Sequence, residues 1–438
     1  MSFPLQRRLE IANGRLLSWW ENLAPGTRLW LTRAAGLATI LYVVQGLRDG
    51  GDMDLFLATG GRMLNGENPY LPPYPKDLTY AYGPMWALLL APWSVFPYWI
   101  FNLLFNFGSL YFLYRVWNFV QGGIGWRFSA LATGFLLLIS MRFLLYNFSL
   151  IQLTPMLLFG CLQADGLEQK GKPWRAGAVV ALLGNIKLLP LIMLGWFLLR
   201  GRWLAVMATL AFSIFFLVLP SVFVGWERNL ELLASWMAII NPTSALRTFE
   251  YDLTQHGLPS LVPSLLMDLP DKIAIRRNIL ELAPETVGTI LKVCQLGILA
   301  IAAVRLYPWF LKGGQGQQAK NAQERFLSLA VILAVVPLVA PQQQKYAFLF
   351  AVPLLAATVA HLFASGQRGT YLLSCVAIVV WLLGSVLSDT VFLGVPLSQV
   401  TQHFKTITWA TLVLVITNVA KPRLGRALSS VASQVQSL

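Results

Sequence analysis

The chain has 438 residues, of which 56% are hydrophobic and 12% charged, and a formal net charge of +14. Soluble globular chains carry charged residues at about 25%, so an ordinary soluble enzyme is excluded. Apolar runs of roughly 15–22 residues recur from residue 29 to residue 420 and predict an all-α polytopic membrane protein; the ten-residue alternation of a transmembrane barrel is missing.

The basic residues flank the apolar segments, as at Arg7/Arg8/Arg15, Arg200/Arg202, Lys312/Lys320/Arg325, Arg368 and Lys421/Arg423/Arg426. That placement fits the positive-inside rule and attraction to membrane lipid headgroups, and it removes the case for nucleic acid. Cys161, Cys294 and Cys375 share no spacing, so neither a disulfide framework nor a metal motif is expected.

In chain order, residues 1–28 form a basic, amphipathic segment without an apolar h-region, read as a retained cytoplasmic helix. A first span over about 29–47 leads into a polar, Pro-rich loop, 48–83, that cannot lie in hydrocarbon. Residues 84–118 read either as two spans or as one span preceded by a half-buried helix over 84–96. The second reading is preferred, because it leaves Lys170, Lys172 and Arg175 inside. Spans follow at about 128–146 and 149–163, then a broken pair of short helices over 176–199 around Asn185, Lys187 and Pro190, and a span at 203–224. A second polar region covers 225–285. Spans near 286–309, 326–340, 346–364, 370–388 and 405–420 precede a basic tail, 421–438. The count is about twelve, with both termini in the cytoplasm. Residues 29–224 read as the core and 286–420 as a C-terminal helical set.

Ionisable residues within apolar segments cost on the order of 3 kcal/mol each without a role or partner. Arg142 and Lys187 have no acidic neighbour at helical spacing, so each invites an anionic ligand such as a phosphate, with snorkelling to a headgroup as the alternative. Asp52 and Asp54, two apart, lie about 200° around a helix from one another and cannot both face one pocket. One can act as a general base while the other caps a helix or pairs with a loop cation. Gln152, with Thr154 and Pro155, sits in an apolar run where its amide needs a partner, a sugar hydroxyl or another helix. The loop aromatics Tyr70, Tyr74, Tyr80, Tyr82, Trp86, Trp236 and Tyr251 suit sugar stacking or an interfacial belt. His256 falls in the second polar region and Lys345 at the outer end of a span. Three histidines without a cysteine pair give no zinc site.

These residues stand in a recognisable order. Asp52-Met53-Asp54-Leu55-Phe56, Gly66 to Tyr70, and Leu78-Thr79-Tyr80-Ala81-Tyr82-Gly83-Pro84-Met85-Trp86 come first. Gln152, Ile186-Lys187-Leu188-Leu189-Pro190, Tyr251 to Leu258 and Ala340-Pro341 to Tyr346 follow. Together they resemble glycosyltransferase family 87, polytopic enzymes of the GT-C fold, over about residues 50–350. Gly83 stands where the family has the first proline of a pair, Thr254 where Asn is common, His256 where Ser is, and Lys345 near a usual His.

The resemblance implies a GT-C fold with short interfacial helices in its extracytoplasmic loops. It implies inverting transfer of a sugar, often mannose, from a polyprenyl-phosphate donor to a lipid or glycan acceptor. The reaction falls on the extracytoplasmic face, here of a bacterial plasma membrane. By position Asp52 is the catalytic base, with Asp54 the second candidate, and Lys187 contacts the donor phosphate; Arg142 and Lys345 are the further cations. Gln152, Tyr80, Tyr82, Gln255 and His256 are the sugar-binding candidates. No cofactor is required, and no metal site can be named. The alternatives are a transporter or flippase, which predicts inverted repeats that the sequence lacks, and an inactive glycosyltransferase-like scaffold.

Overall fold

The computed structural model describes residues 51–75, 78–241, 252–269, 273–304, 322–364 and 368–421, with scattered positions between 11 and 34. Most of the first expected span, Tyr251 and nearly all of the basic tail lie outside the described residues. The chain divides into two compact units, one of Ala38–Trp117 and Leu145–Arg247, the other of Met1–Leu37, Asn118–Leu144 and Thr248–Leu438.

In the unit containing residues 38–117, helix α1 (Met53–Leu64) buries Met53, Phe56, Gly60 and Met63, a spacing that puts one apolar face inward. Helix α2 (Pro84–Leu90) begins on a proline, whose missing N–H costs nothing at a first turn. Its seven residues span about 10 Å, far short of the ~30 Å of a bilayer core. The stretch 84–96 is therefore non-spanning, as the charge argument required. Helix α3 (Tyr98–Ile124) is the one continuous helix that follows.

Helices α4 (Ala130–Ser149), α5 (Thr154–Gln169), α6 (Pro173–Ile186), α7 (Ile192–Leu199) and α8 (Trp203–Val218) come next. The expected break in 176–199 is present. Lys187 is extended (φ −147°, ψ 133°), and a short 3₁₀ turn, Leu189–Leu191, separates α6 from α7. Pro190 causes the break, because it has no N–H to give the Ile186 carbonyl. That carbonyl accepts instead from Gly83 N at 3.1 Å. Gly177 lets α6 approach α8 closely, since a Cβ there would stand 2.5 Å from the Ala208 Cβ. Asp165 and Glu168 at the end of α5 are buried and paired with Arg200 at 3.2 Å each, and Glu168 pairs with Arg202 at 2.9 Å. A short turn of helix, α9 (Ser221–Val224), leads into α10 (Trp226–Ile240), so the second polar region is partly helical.

In the unit containing residues 248–438, strand β1 (Gln255–His256) pairs antiparallel with β2 (Gln343–Gln344), with His256 opposite Gln343. Around this two-residue ladder the unit is helical. Besides most of α4, its helices include α11 (Leu258–Leu266), α12 (Pro284–Val304), α13 (Ala322–Val339), α14 (Val352–Ala364), α15 (Arg368–Trp381), α16 (Thr390–His403) and α17 (Thr406–Ala420). Helix α13 is buried along most of its length and forms the core. A π turn, Leu382–Val386, ends α15. Helix α16, which the hydropathy reading left out, is kinked at Gly394 (φ 70°) beside Pro396.

Among the described residues six helices are long and apolar enough to cross a membrane: Ala130–Ser149, Trp203–Val224, Pro284–Val304, Ala322–Val339, Lys345–Phe363 and Gly369–Val386. Leu189–Leu199 and Thr406–Ala420 are shorter apolar helices. Among the described residues the regular structure is helical apart from the short ladder, and a polytopic membrane fold follows from these helices.

Candidate active site

Three chain segments of one unit meet at the Asp52 carboxylate. Gly51 (φ +44°) lies directly against the backbone of Leu150, where a Cβ would be 2.5 Å from the Leu150 carbonyl carbon, and Asp52 N donates to Leu150 O at 3.2 Å. Asp52 occupies the N-cap position of α1, yet its side chain makes no cap bond. Its Oδ2 instead accepts from Gln152 Nε2 at 2.8 Å and from the Tyr82 hydroxyl at 3.2 Å. Asp54 lies in the first turn of α1, where a carboxylate is favoured by the helix dipole. The reading that only one of the pair enters a site fits this arrangement.

Gln152 is delivered by a left-handed residue, Ile151 (φ 53°), immediately before α5, and its Nε2 also donates to Leu150 O at 3.1 Å. The need for an amide partner in this apolar run is thus met by another segment's carboxylate. Lys187 enters from the α6–α7 break, its Nζ 5.4 Å from the centroid of the Tyr82 ring. Burial pushes the Asp52 carboxyl above the usual carboxylate range. The Gln152 hydrogen bond, the Lys187 charge and the Tyr82 hydroxyl, in that order, pull it back down. Gln152 Oε1 and Trp86 Nε1 are buried and have no hydrogen-bond partner among the described residues.

The loop before α2 is fixed by aromatic side chains. The Tyr70 hydroxyl donates to Tyr82 O at 2.9 Å and Trp236 Nε1 to Ala81 O at 3.2 Å. Asn68 Nδ2 reaches Glu231 at 3.2 Å and Ser235 at 3.0 Å on α10. Tyr80 is fully buried, its ring 5.4 Å from Tyr70 and 5.6 Å from Tyr82. Tyr80, one of the residues expected to bind sugar, is thus packed against both neighbouring rings of this loop. Tyr70 and Trp236, at 4% and 5% exposure, are likewise packing groups.

Gly83 is the hinge of the arrangement. A Cβ there would stand 1.9 Å from the Asn185 carbonyl oxygen, so no residue with a side chain fits while Gly83 N is bonded to Ile186 O. Gly83→Ala should therefore separate the Tyr82 loop from the Lys187 break and destabilise the protein by about 1–3 kcal/mol. Thermal unfolding of the detergent-solubilised protein measures this, and a midpoint equal to wild type refutes it.

The remaining sequence candidates lie in the other unit. Arg142 Nε is 2.7 Å from Asp389 Oδ2, and its Nη1 donates to Ser385 O at 2.6 Å and Ser388 Oγ at 2.7 Å. The carboxylate that Arg142 lacks at helical spacing is thus supplied from far away in sequence, beyond a π turn. Lys345 begins a short 3₁₀ helix, within electrostatic reach of Arg142 and Asp389. His256 is fully buried and Gln255 is partly exposed beside it. Lys405, also missed, is buried and donates to the carbonyls of Asp252 at 2.9 Å and Gln255 at 2.8 Å. Only its left-handed conformation (φ 53°) sets it apart, and that is invisible in sequence. Among the described residues no group of three or more His, Cys, Asp or Glu stands together as a metal site.

Residues 80–341 match the model of glycosyltransferase family 87, a stretch that includes Tyr82, Gln152 and Lys187 and begins downstream of Asp52. No curated protein and no solved structure matches the chain. The family match covers more than half of the sequence, and with the apolar helices it makes this protein a membrane glycosyltransferase belonging to glycosyltransferase family 87.

Proposed function

We propose that the protein moves a sugar, mannose in the first instance, from a polyprenyl-phosphate donor to a hydroxyl of a lipid or glycan acceptor, with inversion, on the extracytoplasmic face of a bacterial plasma membrane. The observation that carries this reading is the partly buried Asp52 carboxylate, held by Gln152 and Tyr82 and within the field of Lys187. Asp52 takes the acceptor hydroxyl proton as its oxygen bonds to the anomeric carbon. The bond from that carbon to the phosphate oxygen breaks, and polyprenyl phosphate leaves with the electron pair. Lys187 stabilises the charge growing on that phosphate. The unpartnered Gln152 Oε1 and Trp86 Nε1 offer one acceptor and one donor to sugar hydroxyls. Of the other two cations expected at the phosphate, Arg142 is already paired with Asp389, and Lys345 feels the same carboxylate. Lys187, the one of the three in the same unit as Asp52, is assigned the phosphate role.

The test is transfer of labelled mannose from synthetic polyprenyl-phosphate mannose by membranes containing the protein, with native membrane extract as acceptor. A labelled product of inverted anomeric configuration is expected. Failure to transfer from any of several lipid-linked sugars overturns the donor assignment and favours transport.

Because Asp52 must be ionised to act as base, and its pKa is raised, activity should fall as pH drops through a value above the usual carboxylate range. Gln152→Ala removes the largest interaction holding that pKa down, so the acid limb of kcat/KM should move to higher pH. An unmoved limb refutes the coupling.

A further inference from the structure

The motif from Gly66 to Tyr70 has no part in the steps above, yet its asparagine is buried and uses both ends of its amide. Asn68 Oδ1 accepts from Tyr70 N at 2.9 Å, an Asx turn across Pro69. Asn68 Nδ2 donates to Glu231 Oε1 at 3.2 Å and to Ser235 Oγ at 3.0 Å. Glu231 and Ser235 stand one turn apart on α10, so a single face of that helix meets the amide. Arg228, on the same face, pairs with the other Glu231 oxygen and donates from Nη2 to Gly66 O at 2.8 Å. Helix α10 thus grips the motif at Gly66 and at Asn68.

The motif in turn holds the residue that meets the carboxylate. The Tyr70 hydroxyl donates to Tyr82 O at 2.9 Å, and the Tyr82 hydroxyl donates to Asp52 Oδ2 at 3.2 Å. Tyr70 is buried, its ring packed on that of Tyr80, so it cannot swing away from this bond. The neighbouring Ala81 O accepts from Trp236 Nε1, also on α10. Ala81 is therefore held by α10 directly, and Tyr82 through Tyr70 and Asn68. Every link lies within one unit, Ala38–Trp117 with Leu145–Arg247.

The atoms explain why the residue is an asparagine. One short side chain must accept from the turn and donate to the helix. Aspartate has the same shape and can still close the turn onto Tyr70 N. It has no N–H to give, however, and would set a second carboxylate against Glu231.

We propose that Asn68 is a positioning residue of the active site, which places the Tyr82 hydroxyl on Asp52 by fastening the Asn-Pro-Tyr turn to α10. Its catalytic consequence rests on the reading of Asp52 as the base; the placement of Tyr82 does not depend on turnover.

The test follows the protonation of Asp52 in full-length detergent-solubilised protein by two readouts. One is the acid limb of kcat/KM with polyprenyl-phosphate mannose. The other needs no turnover: a hydrophobic carbodiimide modifies only the protonated carboxyl, and mass spectrometry gives the pH midpoint of Asp52 labelling. Burial raises the Asp52 pKa, and Gln152, the Lys187 charge and the Tyr82 hydroxyl act against it. Loosening that hydroxyl in Asn68→Asp should move both midpoints up by about half a pH unit, the worth of one neutral hydrogen bond. It should also lower kcat about tenfold. Ser235→Ala, a smaller change that removes one of the two amide bonds, should shift the midpoints the same way by less. Combining Asn68→Asp with Glu231→Gln exchanges amide and carboxylate, re-forms the bond in the opposite sense and should restore both midpoints. In Tyr82→Phe, which has no hydroxyl to place, Asn68→Asp should add no shift. Midpoints unmoved in Asn68→Asp, a shift that the exchange fails to restore, or one that persists in Tyr82→Phe overturns the proposal. A labelling midpoint that moves and is restored in a protein without turnover overturns only the transferase reading and leaves the role of Asn68 standing.

Discussion

Asp52→Asn is expected to lower kcat for transfer from polyprenyl-phosphate mannose by about 10²–10⁴-fold, the range that a positioned general base contributes. The amide keeps the shape, and its oxygen can still accept from Gln152 and Tyr82. What is lost is the capacity to take a proton from the acceptor. The acid limb of the pH profile should vanish with it, since no titrating carboxylate is left at that atom. Asp54→Ala, which alters the first turn of the same helix, should stay near wild type in turnover. Initial rates with saturating donor and acceptor give the comparison. Equal rates for Asp52→Asn and wild type would transfer the base role to Asp54 or remove it from this helix.

Lys187→Met is the second large effect. Removing a preorganised charge aimed at a developing anion typically lowers kcat by about 10²–10³-fold. Lys187 also lowers the pKa of Asp52, so its loss should move the acid limb upward as well. The two consequences separate the role of Lys187 from a packing defect. A merely destabilised protein would lose total activity without shifting the limb. The donor KM should rise alongside, because the same ammonium meets the phosphate in the ground state. A variant with wild-type kcat and an unmoved limb refutes the assignment.

Arg142 and Lys187 looked alike in sequence, as cations in apolar runs without a carboxylate at helical spacing. The structure separates them. Asp389 reaches Arg142 from 247 residues away, which no local pattern encodes. Lys187 sits instead at a helix break caused by Pro190, in the same unit as Asp52. Tyr80 and Tyr82 show the same limit, since both read as loop aromatics. One is fully buried packing, while the other gives its hydroxyl to the carboxylate.

The membrane class was determined by composition, because a helix that crosses hydrocarbon needs a long apolar run, and such runs must be written contiguously in the chain. The break at 187 was legible for a comparable local reason: proline lacks the N–H that a helix needs. The candidate base came from the order of short motifs around Asp52 and Lys187, which also pointed to the family. What the tertiary structure decided is which polar groups meet. The bond from Gln152 to Asp52, the close approach at Gly83, the pairing of Arg142 with Asp389 and the ladder that sets His256 opposite Gln343 all join residues far apart in sequence. Hydrogen bonds and ion pairs act over a few ångströms of space, and their partners are chosen by how the helices pack.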